Sequence, residues 1–260
     1  MKRIRADELL SMQTGVSRSQ TRLLIMEGKV RLKGSIVLKP GELVPVESVL
    51  EVEQPQKFVS RGGFKLESAL DQFNLDVSDL ICIDVGASTG GFSDCLLQHG
   101  AKTIYAVDVG SSQLAPKIAT DKRVIVMDKT NARFLTPAHF NTRPQVAVVD
   151  CSFISGNKVI APLKNILTEP AFVVWLLKPQ FEAGPGKVGK KGVIKREDVL
   201  KESITKALLR VIEIPSRIIN ACTSPITGAD GNREFLILLG FDDGVGLSHD
   251  DVLEKLLPKA

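Results

Sequence analysis

The sequence predicts a doubly wound, mainly parallel α/β domain preceded by a small, basic α+β module. Three observations carry this: seven short apolar runs separated by helix-length segments, an acid-and-glycine turn closing the first run, and a polar, proline-bearing break near residues 54–57. With 260 residues the chain can bury one sizeable core and a smaller one. Its 43% hydrophobic and 25% charged residues are ordinary for a globular protein.

The first module is set by its charge and its punctuation. Residues 1–40 hold nine Lys/Arg against three Asp/Glu, whereas 41–55 hold four Glu and no base, so the basic part suits a polyanionic partner. Ser17 is a helix cap ahead of Arg18 to Glu27, Leu23, Leu24 and Met26 supply an apolar face, and Gly28 stands at the stop position. Lys29 to Val37 then alternates like a small strand pair turning at Lys33-Gly34. The module ends near Val52, and Gln54-Pro55-Gln56-Lys57 reads as a linker.

Beyond it the apolar runs are Ile81 to Val85, Thr103 to Val107, Val124 to Met127, Val146 to Val149, Phe172 to Leu177, Ile218 to Cys222 and Phe235 to Leu239. Runs of this length between helical stretches indicate a parallel sheet covered on both faces, which binds ligands at the carboxyl ends of its strands. From Asp242 onward the chain is acidic and weakly patterned, and a surface helix with a frayed end is expected. Cys82, Cys95, Cys151 and Cys222 have no metal-binding or disulfide spacing, which fits a reducing cytoplasm with no metal site. The longest wholly apolar run, Ala171 to Leu177, is far short of the roughly 20 residues that span a bilayer, so no membrane association is expected. Trp175 reads as core, and the three histidines show no pairing suggestive of catalysis.

Asp84-Val85-Gly86-Ala87-Ser88-Thr89-Gly90-Gly91-Phe92 closes the first strand and opens a helix, where glycines let the backbone approach a ligand. The spacing differs from G-x-G-x-x-G, and Asp84 would repel a pyrophosphate, so a cationic amino-acid-like ligand suits the turn better than a dinucleotide. Asp108 ends the second strand about 20 residues on, where nucleotide-binding folds place a carboxylate on ribose hydroxyls, and Asp128 ends the third. Either alone would serve equally as a helix cap.

Further blocks accompany this turn: Lys57-Phe58-Val59-Ser60-Arg61-Gly62-Gly63-Phe64-Lys65-Leu66-Glu67, Val149-Asp150-Cys151-Ser152-Phe153-Ile154-Ser155, Leu177-Lys178-Pro179-Gln180-Phe181-Glu182, Ser224-Pro225-Ile226-Thr227-Gly228, Gly231-Asn232 and Glu234-Phe235-Leu236. Together, in this order, they resemble the TlyA family of rRNA cytidine-2'-O-methyltransferases, whose members also carry the name hemolysin. The resemblance implies an S4-like RNA-binding domain over residues 1–53, a linker over 54–59, an FtsJ-like, Rossmann-like methyltransferase domain over 60–241 and a tail over 242–260. It implies S-adenosylmethionine as cofactor, held by Asp84, Gly86, Ala87, Ser88, Thr89, Gly90, Gly91, Asp108 and Asp128. Lys65, Asp150, Lys178 and Glu234 take the family's catalytic positions. The family usually has an aliphatic residue where Cys151 and Arg233 stand and an aromatic-glycine pair near Ser111-Ser112.

The chemistry asks for such residues independently of the name. A ribose hydroxyl is a weak nucleophile that loses its proton as it attacks, so a base must sit beside it, and a crowded, partly desolvated lysine can serve. Lys178, at the end of a strongly apolar strand, is the expected base, with Lys65 orienting the hydroxyl or phosphate and Asp150 and Glu234 fixing the two amines. The expected partner is ribosomal RNA or a ribosomal subunit, with phosphates held by Arg18, Arg22, Lys29, Arg31, Lys33 and Arg61 and by Lys187, Lys190 and Lys191 of the glycine-rich basic stretch Gly184 to Arg196. That stretch reads as an RNA-gripping loop or a plain connector. A monomer is favoured. Rival readings are a membrane-active hemolysin, for which no lytic segment is visible, an assembly factor with an idle methyltransferase fold, and a protein or small-molecule methyltransferase, which the basic module argues against.

Overall fold

A computed structural model of the chain describes residues 2–53, 56–184, 186–189, 192–214, 216–228 and 230–258. It divides into two compact units, Met1–Lys57 and Phe58–Ala260.

In the first unit, β1 (Arg3–Arg5) leads into α1 (Ala6–Thr14) and α2 (Arg18–Met26), followed by β2 (Val30–Leu32), β3 (Ser35–Ile36), β4 (Leu43–Pro45) and β5 (Leu50–Val52). Ser17 caps α2 by accepting from the Gln20 amide, and Gly28 closes it at φ +71°. β2 pairs antiparallel with β3 and β5, turning at Lys33-Gly34, while β1 pairs with β4. Ala6, Leu9, Leu10, Ile25, Val30, Val37, Val44 and Leu50 form the core. Helix α1 is absent from the sequence reading, because its strong apolar residues are only Leu9, Leu10 and Met12 and one of its buried positions is the charged Asp7. Its buried Asp7 accepts from Arg5 and pairs with Arg18 at 3.6 Å.

The second unit begins with α3 (Gly62–Phe73) and alternates β6 (Ile81–Val85), α4 (Gly91–Gln98), β7 (Thr103–Val107), α5 (Pro116–Ala119), β8 (Val124–Met127), β9 (Val146–Val149), α6 (Asn157–Ile166), β10 (Phe172–Leu177), α7 (Pro179–Glu182), α8 (Glu197–Ile212), β11 (Arg217–Thr223), β12 (Phe235–Gly240) and α9 (His249–Leu256). The strands form one sheet in the order β11-β12-β10-β9-β6-β7-β8, in which β12 runs against both neighbours and the rest are parallel. Alternate residues feed two cores: Ile83 and Val85 point to one face and Cys82 to the other. From β6 the chain winds outward through β7 and β8, then returns to β9 and winds the other way. The crevice beyond the ends of β6 and β9 is therefore the topological switch point, where such sheets bind ligands.

Two features differ from the sequence reading. Phe58 is buried in the second unit and the Val59 amide donates to Asp94 at 2.9 Å, so the unit starts inside the stretch read as linker. The helix expected in the tail is packed rather than superficial: Ser248 caps α9, and Val252, Leu253 and Leu256 are buried in the main core, because their spacing places them on one helical face.

Candidate functional site

The glycine turn sits at the end of β6 with its backbone in conformations only glycine adopts easily: φ is +86° at Gly86 and +88° at Gly90. A Cβ on Gly86 would come within 2.5 Å of the Asp150 carbonyl, and one on Gly91 within 2.1 Å of Ser60 Oγ. These glycines thus allow the turn to lie against the end of β9 and against the segment entering α3. The Asp108 carboxylate accepts from the Ser88 amide at 2.8 Å and the Gly110 amide at 2.7 Å, tying the turn to the end of β7. Asp128 accepts from the Ser112 amide at 2.8 Å.

Two adjoining cavities follow the strand ends and share Gly86, Ser88 and Asp150. The larger, about 540 Å³, has Asp108, Thr130, Asn131, Arg133 and Cys151 among apolar Val107, Val109, Ile154 and Val159. The smaller, about 120 Å³, is lined by Ser60, Gly62, Lys65, Ala87, Thr89, Gly91 and Phe92 besides the shared residues. Asp84 lines neither: it is fully buried, takes the Ser93 hydroxyl at 2.6 Å on one oxygen, and its other oxygen has no hydrogen-bond partner among the described residues. Burial pushes its carboxyl up to about 7, with Asp150 and Asp108 adding repulsion against the hydrogen bond from Ser93. Burial likewise pushes the Cys151 thiol up to about 12, so it stays protonated and serves as cavity wall, not nucleophile.

Lys65 and Asp150 both face the smaller cavity, and each brings a partner of opposite charge. The Lys65 ammonium, from α3, pairs with Glu234 at the start of β12. Both are buried, and a Cβ on Gly228 would come within 2.7 Å of Glu234 Oε1, so the Ser224–Gly228 block leaves room for the carboxylate. Lys178 Nζ, at the end of β10, lies 2.5 Å from Asp150 Oδ1 and 3.1 Å from Ser152 Oγ. The four residues named from the sequence thus form two ion pairs at one crevice. Ser60, Ser152 and Arg133 join them; the first two stand in blocks that the sequence singles out, whereas Arg133 has no sequence signal.

The basic residues divide. Arg61 donates to the Thr227 carbonyl at 2.6 Å and Lys187 pairs with Glu202 at 2.5 Å. Lys29 pairs with Glu27 and Arg31 with Glu53, whereas Arg22 and Lys33 are exposed with no ion pair among the described residues. Lys190 and Lys191 lie outside the described residues. The flanking stretch is anchored: Ile194 donates its amide to Asn232 Oδ1 at 3.0 Å, and Asn232 Nδ2 donates to the Gly192 carbonyl at 2.9 Å.

The crevice fits S-adenosylmethionine. The larger cavity falls in the roughly 300–1,000 Å³ range of small-molecule sites and combines apolar walls for a purine with a carboxylate for a ribose diol. Asp108 accepts two bonds of the about four a carboxylate can take, so it retains acceptor capacity. The polar, smaller cavity suits the amino-acid end.

Comparison with known proteins agrees with this geometry. The family model of the FtsJ-like methyltransferases matches residues 58–241. The chain is 44% identical over 243 residues to YqxC of Bacillus subtilis, provisionally named an rRNA methyltransferase, covering 92% of this chain and 86% of the relative. It is 39% identical over 241 residues to the 16S/23S rRNA (cytidine-2'-O)-methyltransferase TlyA of Mycobacterium tuberculosis, covering 92% and 90%. The solved structure of a Streptococcus thermophilus protein, provisionally named a hemolysin, superposes at a TM-score of 0.73 with 37% identity over 98% of this chain and 96% of that one. Among the described residues no helix is long and apolar enough to cross a membrane. With its fold and its sequence in agreement, the chain belongs to the FtsJ-like methyltransferase family, in its TlyA branch.

Proposed function

We propose that this chain transfers a methyl group from S-adenosylmethionine to the 2'-hydroxyl of a cytidine in ribosomal RNA, and that its first unit is an S4-like RNA-binding domain. The observation that supports this most directly is the pair of lysine–carboxylate contacts at the switch-point crevice, beside a glycine turn and a cavity of cofactor size. The 86–91 turn and Asp108 would hold the cofactor, with Asp128 behind Ser112 shaping the wall and Asp84 acting on the turn from within. Bound there, S-adenosylmethionine supplies an electrophilic methyl group.

The rest of the work falls to the chain's own side chains. Lys178 Nζ takes the proton from the ribose hydroxyl, and Asp150 stabilises the ammonium that results. Lys65, held by Glu234, orients the hydroxyl or its neighbouring phosphate. Phe153, 90% exposed at the cavity wall and 5.0 Å from Phe181, offers a stacking face to an unpaired base. Ribosomal RNA from cells with and without the gene, mapped for 2'-O-methylation, should differ at one or more cytidines. Identical maps, together with no methyl transfer by the purified protein to subunits from the deletion strain, would leave an idle fold as the better reading.

A further inference from the structure

Ser152 lies outside the four charged residues, yet it is the second group that Lys178 reaches, and its place is fixed from both sides. At one end of the β9–α6 turn the Asp150 amide donates to the Val85 carbonyl at 2.9 Å. At the other, the buried Glu182 carboxylate accepts from Ser155 Oγ at 2.7 Å and the Gly156 amide at 2.8 Å, with Arg210 at 3.1 Å balancing its charge. Gly156 also packs on the indole, since a Cβ there would sit 2.2 Å from Trp175. The turn carrying Ser152 is therefore suspended between two anchors, one of them on the α7 segment that follows Lys178.

A neutral amine has two N–H bonds and one lone pair in tetrahedral array. Nζ donates to Ser152 Oγ at 3.1 Å, whereas Asp150 Oδ1, 2.5 Å away, is a charge contact without hydrogen-bond alignment, so the bond to Ser152 sets the direction of the amine and narrows where its lone pair can meet a hydroxyl proton. With Asp150 alone, the amine would be free to rotate about a single contact. We propose that Ser152 is a positioning residue that aims the Lys178 lone pair, so that the proton passes from the ribose oxygen to Nζ without a rotational search. This rests on the reading of Lys178 as the base.

The test uses the full chain, ribosomal subunits from a strain lacking the gene, and labelled S-adenosylmethionine, under single-turnover conditions. Ser152→Ala should lower the methyl-transfer rate about 10-fold, part of the roughly 100-fold that misplacing a reacting group by about 1 Å can cost. Affinities for cofactor and subunit should stay within about twofold, and Ser152→Thr, which keeps the hydroxyl, should recover most of the rate. In a Lys178→Ala background Ser152→Ala should cost nothing further, a non-additivity that a general weakening of the turn would not produce. A rate for Ser152→Ala within twofold of wild type, an equal loss in Ser152→Thr, or a full 10-fold loss in the Lys178→Ala background would each overturn the inference. If Ser152→Ala is silent while Lys178→Ala is slow, only this inference falls; if Lys178→Ala is itself as fast as wild type, the base assignment falls first.

Discussion

Two lysines meet a carboxylate at the same crevice, but in different surroundings. Lys65 and Glu234 have side chains only 10% and 4% exposed, whereas Asp150, the partner of Lys178, is 24% exposed and shares its lysine with a serine hydroxyl. An ion pair buried on both sides is costly to break and hard to reorganise, so it suits a fixed charge. A pair open on one side, with a second neutral acceptor, can pass a proton without leaving a bare charge in the core. The lysines themselves are almost equally buried, at 10% and 12% exposed, so it is the carboxylates that differ, and this contrast favours the proposed roles of Lys65 in orientation and Lys178 in proton transfer.

The largest effect should come from breaking the buried pair. Glu234→Ala leaves the Lys65 ammonium, only 10% exposed, without its partner, and loss of one member of a buried pair costs about 3–5 kcal/mol. Urea unfolding followed by the fluorescence of Trp175, the chain's single tryptophan and buried in the second unit, measures this directly. A loss below about 1 kcal/mol would mean the pair is hydrated and the contrast with Lys178 is false.

Asp84 sharpens the comparison as a buried acid with no ion pair among the described residues. Its folded carboxyl titrates near 7, above the ordinary 3.8, so the stabilising contribution is complete below pH 3.8 and is lost as pH rises toward and through 7. The ceiling on this loss is about 4 kcal/mol, from three pH units at about 1.4 kcal/mol each. Asp84→Asn keeps an acceptor for Ser93 but carries no titrating charge. Its stability relative to wild type should therefore increase between pH 5 and 8, as chemical denaturation at several pH values would reveal; parallel pH profiles would show that the wild-type carboxyl is solvated or paired.

For the open pair the effect should be on rate. Lys178→Ala should slow single-turnover methyl transfer about 100-fold, the usual scale for a lost general base. Lys178→Arg keeps the charge next to Asp150 but cannot act as a base, so it should be nearly as slow. Near wild-type rates in the arginine variant would demote Lys178 to a fixed charge like Lys65 and erase the distinction.

What could be read from the sequence tracks how local each signal is. Six of the seven strands begin where their apolar runs begin; the central ones have no other composition because they are buried on both faces, while the edge strand β8 is as apolar yet exposes Ile125 and Val126. The four charged residues were visible because each stands in a distinctive block at a strand end or helix start. The reason for Gly86 was not: the sequence suggests room for a ligand, whereas a side chain there would first strike the carbonyl of Asp150, just past β9 and 64 residues further along the chain. The helix of the tail was expected but its burial was not, for a similar reason, since Val252, Leu253 and Leu256 look sparse until α8 and β11 are packed against them. Ser152 needed the fold outright, as nothing in its neighbours says that Lys178 ends beside it.

The difference between paired and unpaired cations extends to the first unit, where its effect should be smallest. Arg22 and Lys33 are exposed without an ion pair among the described residues, while Lys29 is held 2.7 Å from Glu27 and Arg18 3.6 Å from Asp7. A phosphate contacting Arg22 or Lys33 displaces only water and counterions, and each such contact should contribute about 0.7–0.9 to the slope of log affinity against log salt. A phosphate reaching Lys29 must compete with Glu27, whose exposed pairing is worth at most about 1 kcal/mol, so its contribution to the slope should be reduced but not abolished. Replacing Arg22 and Lys33 by alanine should therefore flatten the salt dependence of subunit binding by about 1.5, the Arg18 and Lys29 double variant by clearly less, and neither should change affinity for S-adenosylmethionine. Equal flattening by the two double variants would show that the local carboxylates do not tune the basic face, and no flattening by either would remove this unit from RNA recognition.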